Sequence, residues 1–282
     1  MEKRTLQLAF AKVPLDGKDE DDSIIRKFGN RYLLAVADGL TQNSGRIAAR
    51  AVIKCLEGIE GGRGDAHALF ARLCSALPGS GEAPASQTTL TCGLLSIKAR
   101  DGHTWIVFDF FAVGDSPVWR VVRAPAGDRY SFQRYAQHAA PYPAETSKVY
   151  GTVRPHHPDI TRGAVTFGRV EIPPGDVLVI CTDGIPEREV FVRDQVLPPM
   201  EGALPTLCDW LFASDPYSND TLEAVLRGYA TRGALYDDAT IIAARVATPA
   251  KQKNREKPPR GSVSAAVPHE REDQTPFPER VS

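Results

Sequence analysis

The sequence predicts an α+β fold in which short strands are interrupted by two pairs of helices. Three observations point there. Several apolar runs are too short for helices and stop on turn-forming residues: residues 32–37 before Asp38-Gly39, residues 108–113 before Gly114-Asp115-Ser116, and residues 177–181 before Thr182-Asp183-Gly184. Elsewhere, apolar residues recur at helical spacing, first after residue 44 and again after residue 203. Finally, residues 88–96 and 105–113 are rich in β-branched and aromatic residues and turn at Asp101-Gly102, the pattern of an antiparallel pair.

In chain order, residues 6–13 alternate loosely and read as an opening strand. A polar turn with five acids covers residues 16–22, and strands follow at 23–28 and 30–37, joined at Gly29-Asn30. Asn43 or Ser44 is placed to cap a helix whose apolar face is Ile47, Ala48, Ala51, Val52, Cys55, Leu56 and Ile59. The Gly61–Gly64 break separates it from a second helix over 65–77, and a Pro/Gly/Ser loop ends near Ser86. Residues 118–122 continue a sheet beyond Asp115. Residues 124–163 carry several prolines and weak periodicity, and read as an irregular excursion over the surface. Strands are expected at 165–172 and up to Cys181, helices at 204–213 and 220–231, and a last strand at 239–246. From residue 248 the chain is charged, proline-dotted and poor in large apolar residues. It is expected to be a disordered tail after a folded domain of residues 1–247.

The 282 residues suffice for a substantial core, and the formal net charge of −1 gives nucleic-acid binding no support. The five cysteines are scattered and form no C-x-x-C pair, which favours a reducing compartment. The N-terminus does not read as a secretory signal, and no apolar run has the length of a membrane span. A cytoplasmic, monomeric protein with no membrane or nucleic-acid partner is expected.

The placement of the acids carries the functional reading. Asp38, Asp115 and Asp183 each end an apolar run, Asp237-Asp238 open another, and Asp21-Asp22 precede the strand at 23–28. Carboxylates gathered at the ends of buried strands repel each other and lose hydration, which is costly unless a cation sits among them. Aspartate oxygens with a backbone carbonyl suit magnesium or manganese. The candidates read as buried strand residues or sheet aromatics are Cys181, Trp105, Trp119 and Trp210; His156-His157 and the basic run 251–257 read as exposed.

Taken in order, the acidic pair, the Asp38-Gly39 strand end, the helix pair, Thr88-Thr89-Leu90, Gly114-Asp115-Ser116, Pro174-Gly175-Asp176 through Thr182-Asp183-Gly184, and Asp237-Asp238-Ala239-Thr240 resemble the type-2C (PPM) metal-dependent serine/threonine phosphatases. The resemblance runs over residues 16–247. It implies a sandwich of two antiparallel sheets flanked by helix pairs, with two Mn2+ or Mg2+ ions at one edge and a possible third. It implies a phosphorylated protein substrate, hydrolysed by a hydroxide bridging the ions, and an opposing serine/threonine kinase. By position, Asp38 would bridge the ions with the Gly39 carbonyl on one of them, and Asp183 and Asp237 would ligate the other. Asp21 stands at the place of a glutamate ligand and Asp22 at that of an aspartate holding metal-bound water. Asp115 matches the aspartate of a third, weaker metal.

The sequence departs from the family pattern at two places. Leu40-Thr41-Gln42-Asn43 follows Asp38-Gly39 where a Gly-Gly-His is usual, and the upstream phosphate-binding arginine is absent, with Lys18 the nearest cation. The alternative is a pseudophosphatase or phosphoprotein-binding module that keeps the fold and the metal site. An aspartyl-nucleophile phosphatase would need Asp-x-Asp, and Asp38 is followed by Gly39-Leu40; a thiol phosphatase would need Cys-x5-Arg, which no cysteine supplies.

Overall fold

The computed structural model describes residues 5–40, 45–77, 87–100, 103–123, 130–135, 153, 165–185, 206–213, 217–235 and 237–247. Its strands form two five-stranded antiparallel sheets. One contains β1 (Leu6–Val13), β10 (Ala239–Val246), β9 (Val177–Cys181), β6 (Val118–Arg123) and β7 (Tyr130–Arg134), in that order. The other runs β2 (Asp22–Phe28), β3 (Arg31–Ala37), β4 (Leu90–Arg100), β5 (His103–Val113) and β8 (Val165–Ile172). The helices are α1 (Gly45–Gly58), α2 (Ala66–Ala76), α3 (Leu207–Phe212) and α4 (Asn219–Thr231).

Strand period explains the layering. Successive side chains of a strand face opposite ways, so a strand covered on both faces must be apolar throughout. In β9, Leu178 and Ile180 join Leu34, Val36, Phe108 and Phe110 of the other sheet in one buried cluster between the sheets. Val177, Val179 and Cys181 alternate with them and meet Leu207, Leu211, Leu222 and Val225 of α3 and α4. In β3, Leu33, Ala35 and Ala37 turn instead toward Val52, Leu56 and Leu69 of α1 and α2. The result is the predicted sandwich of two antiparallel sheets flanked by helix pairs.

Two local readings differ. The excursion assigned to 124–163 contains β7, paired with β6 from Trp119↔Arg134 to Arg123↔Tyr130. As an edge strand it exposes Ser131 and Gln133, which hides its apolar signal; Phe132 packs inward and Tyr130 stacks on Phe212. In α1 the buried face is Ala48, Ala49, Val52, Ile53 and Leu56, while Ile47 is 50% exposed. Alanine is neutral enough to serve either face, so the helical period alone left the face rotated. The proposed caps Asn43 and Ser44, the turn at Asp101-Gly102, His156-His157 and the tail from residue 248 lie outside the described residues. Trp119 and Trp210 are buried, as is Cys181. No helix among the described residues is long and apolar enough to cross a membrane.

Candidate metal centre

Strand ends from both sheets bring three carboxylates together. Oxygens of Asp38, Asp115 and Asp183 all lie within 4.8 Å of one another. Asp38 follows β3 and Asp115 follows β5 in one sheet, whereas Asp183 follows β9 in the other. Asp21 stands behind them, 1% exposed, where the charges of both Asp38 and Asp183 reach it.

The backbone around each acid is pinned. The Asp38 carbonyl accepts from the Thr89 amide (2.8 Å) and the Thr88 hydroxyl (2.7 Å), tying the end of β3 to the start of β4. Gly114 turns the chain at φ 94°, a region glycine adopts freely. The same turn is held by hydroxyl contacts, Thr89 with Ser116 at 2.8 Å and Thr91 donating to the Ser116 carbonyl at 2.7 Å. Gly39 and Gly184 are required by space. A Cβ on Gly39 would sit 2.3 Å from the Gly45 carbonyl carbon and 2.7 Å from the Glu20 carbonyl oxygen. On Gly184 it would sit 1.8 Å from the Asp238 carbonyl oxygen.

Two polar residues to which the sequence analysis gave no role organise the rest. The Thr182 hydroxyl donates to Asp21 Oδ2 at 2.8 Å and accepts from the Thr240 amide at 3.0 Å. Asp238 is buried, and its carboxylate accepts from the Leu15 and Glu20 amides, both at 2.5 Å. It therefore fixes the β1–β2 loop that delivers Asp21. Neither role has a local signal, because the partners lie 58 to 223 residues away in sequence.

The other sequence-predicted residues stand apart. Asp237 is half exposed; Lys18 Nζ lies 3.1 Å from its Oδ1, and the same oxygen accepts from the Asp238 amide. Asp22 accepts from the Ser23 amide and pairs in register with Ala37, which faces the helices. Neither joins the grouping of Asp38, Asp115 and Asp183. Lys18 is thus engaged by a carboxylate.

Electrostatics at the cluster call for positive charge. Burial, then the neighbouring Asp183 and Asp21, hold the Asp38 carboxyl well above the usual carboxylate range. Burial pushes Asp21 up to about 7, against the stabilising Thr182 hydrogen bond. Asp21 Oδ1 is buried without a hydrogen-bond partner among the described residues. An all-oxygen donor set, crowded carboxylates and an orphaned buried oxygen fit a hard divalent cation.

A pH dependence follows. Folded Asp21 keeps its proton to about pH 7, whereas the unfolded chain releases it near 4. Over that interval the folded state binds more protons, so the metal-free protein loses stability as pH rises from about 4 to about 7. Thermal melts in chelator should show Tm falling across this range, and added manganese should oppose the fall increasingly toward pH 8. A metal-free Tm that climbs with pH would contradict the cluster's electrostatics.

Known proteins share this fold. The Stage II sporulation protein E (SpoIIE) family model matches residues 142–247. Among solved structures, the catalytic domain of the serine/threonine phosphatase PstP with two manganese ions superposes with TM-score 0.57 at 17% identity, covering 87% of this chain and 100% of that one. The PP2C phosphatase domain of SpoIIE from Bacillus subtilis, solved with a fragment of its regulatory domain, gives TM-score 0.54 at 17% identity, covering 86% of this chain and 63% of that one. RsbX with magnesium gives 0.52 at 15% identity, covering 88% and 98%. No curated protein sequence matches the chain. The resemblance read from the motifs to the type-2C phosphatases is supported by both the family model and the fold.

Proposed function

We propose that this chain, built on the type-2C phosphatase fold, is a metal-dependent phosphoserine/phosphothreonine protein phosphatase. The observation that carries the reading is the convergence of Asp38, Asp115 and Asp183 within 4.8 Å at the edge of the sandwich. Asp38, with the Gly39 carbonyl beside it, and Asp183 would hold two Mn2+ or Mg2+ ions, with Asp115 serving a third. Bound there, such ions would lower the pKa of water for attack and neutralise charge on the phosphate.

The chain's own residues supply placement. Thr88 and Thr89 fix the Asp38 backbone, and with it the point from which its carboxylate projects. Thr182 orients Asp21, whose carboxyl group backs the site without its being in the three-carboxylate grouping. Asp237 would take the role the family resemblance gives it once the loop carrying Lys18 shifts and releases its ion pair, and Asp22 would hold metal-bound water from its place at the start of β2. The substrate is a phosphoprotein, set against a serine/threonine kinase, in a cytoplasmic setting.

The test is hydrolysis of a phosphothreonine peptide by the full chain. Turnover should require manganese or magnesium, vanish in chelator and return when the ion is restored. Turnover that survives chelation would overturn the metal-dependent reading. A second reading, a non-catalytic phosphoprotein-binding module, is favoured by one observation: Lys18 neutralises Asp237. Manganese binding without turnover would select it.

A further inference from the structure

We propose that Lys12, Arg46 and Arg50 form a subsite for a second anionic side chain of the substrate, a carboxylate or a further phosphate flanking the phosphoresidue under attack. This inference rests on the phosphatase reading. All three cations converge on one carboxylate: Asp19 lies 2.5 Å from Lys12 Nζ, 2.9 Å from Arg46 Nη2 and 3.2 Å from Arg50 Nη2. Three positive charges against one negative leave a surplus of two. The Arg46 and Arg50 side chains are 48% and 53% exposed, so their guanidinium groups remain open to solvent.

The cluster borders the acidic centre without entering it. Asp19 is two residues before Asp21, and Lys12 Nζ also donates to the Asp21 carbonyl at 2.6 Å. Arg46 follows Gly45, whose backbone packs directly against that of Gly39. A substrate peptide lying extended over this edge places a residue two or three positions from the phosphoresidue about 7–10 Å away. Arg46 and Arg50 are four residues apart on α1, and so share one helix face. Two guanidinium forks on one face match the paired oxygens of a carboxylate or phosphate. Exposed ion pairs are weak and exchange readily, so an incoming anion can displace Asp19 from the arginines. Lys12, the nearest of the three, holds Asp19 ionised, below the usual carboxylate range.

The experiment compares three phosphothreonine peptides on the full chain: one flanked by glutamates, one by a second phosphothreonine, one by alanines. Wild-type kcat/KM should favour both anionic peptides over the alanine peptide. In the Arg46→Gln/Arg50→Gln variant, that preference should fall about tenfold. In Asp19→Asn it should rise, and asparagine suits the φ of 54° at this position. The two arms separate carboxylate from phosphate recognition. Equal losses on all three peptides, or an unchanged preference in both variants, would overturn the subsite. Fluorescence anisotropy of the same peptides in chelator reads binding without turnover. If hydrolysis is absent yet the anionic peptides bind better and lose that advantage in the arginine variant, the phosphatase reading fails and the subsite stands. Turnover with no preference by either measure leaves the phosphatase and removes the subsite.

Discussion

Asp38→Asn should reduce phosphopeptide turnover roughly a hundredfold or more while leaving the protein folded. The carboxylate lies within 4.8 Å of those of Asp115 and Asp183, so its loss removes a central charge from the only such acidic grouping among the described residues. A divalent ion contributes several kcal/mol to stabilising a phosphoryl-transfer transition state, and each 1.36 kcal/mol is tenfold in rate. The amide keeps the shape of the side chain, and the backbone bonds from Thr88 and Thr89 are untouched. Removing one of several crowded carboxylate charges also relieves repulsion. The metal-free variant should therefore melt above the wild type, measured by calorimetry in chelator. Near-normal turnover, or a lower metal-free Tm, would refute the role given to Asp38.

Gly184→Ala is expected to be the most destabilising single change at the site. The added methyl would lie 1.8 Å from the Asp238 carbonyl oxygen, a backbone atom that no rotamer change can move aside. Forced overpacking costs about 1–3 kcal/mol and more where backbone must shift, so about 3 kcal/mol or above is expected. That is a large share of the roughly 5–15 kcal/mol that holds a domain folded. Urea denaturation should show a much lower midpoint, or no cooperative transition. Moving Asp238 would also disturb the amides of Leu15 and Glu20, and with them the loop that carries Asp21. A wild-type midpoint would show that the two segments do not pack as described.

Much of this was legible because strand-end acids announce themselves. Apolar runs that stop on Asp38, Asp115 and Asp183 gave both the strands and the shared carboxylate site. Adjacent acids were harder to separate. Asp237 and Asp238 look alike in sequence, yet one is half exposed beside Lys18 and the other is buried, holding two amides. Which of two neighbours turns inward depends on chain segments more than 200 residues away, and no local pattern carries that. The same reason hid Thr182, whose hydroxyl serves Asp21 across 161 positions. Strand β7 escaped because only one of its faces is apolar, and the buried face of α1 because alanines surround it.

The seam between the two sheets has a consequence of its own. Asp38 and Asp115 ride on one sheet and Asp183 on the other. An ion shared among them would act as a rivet through both layers, so whatever parts the layers also releases the ion. Affinity for manganese would then gauge how tightly the halves of the sandwich clasp, and a core substitution far from any aspartate, such as Phe108→Leu, would register as weaker ion uptake.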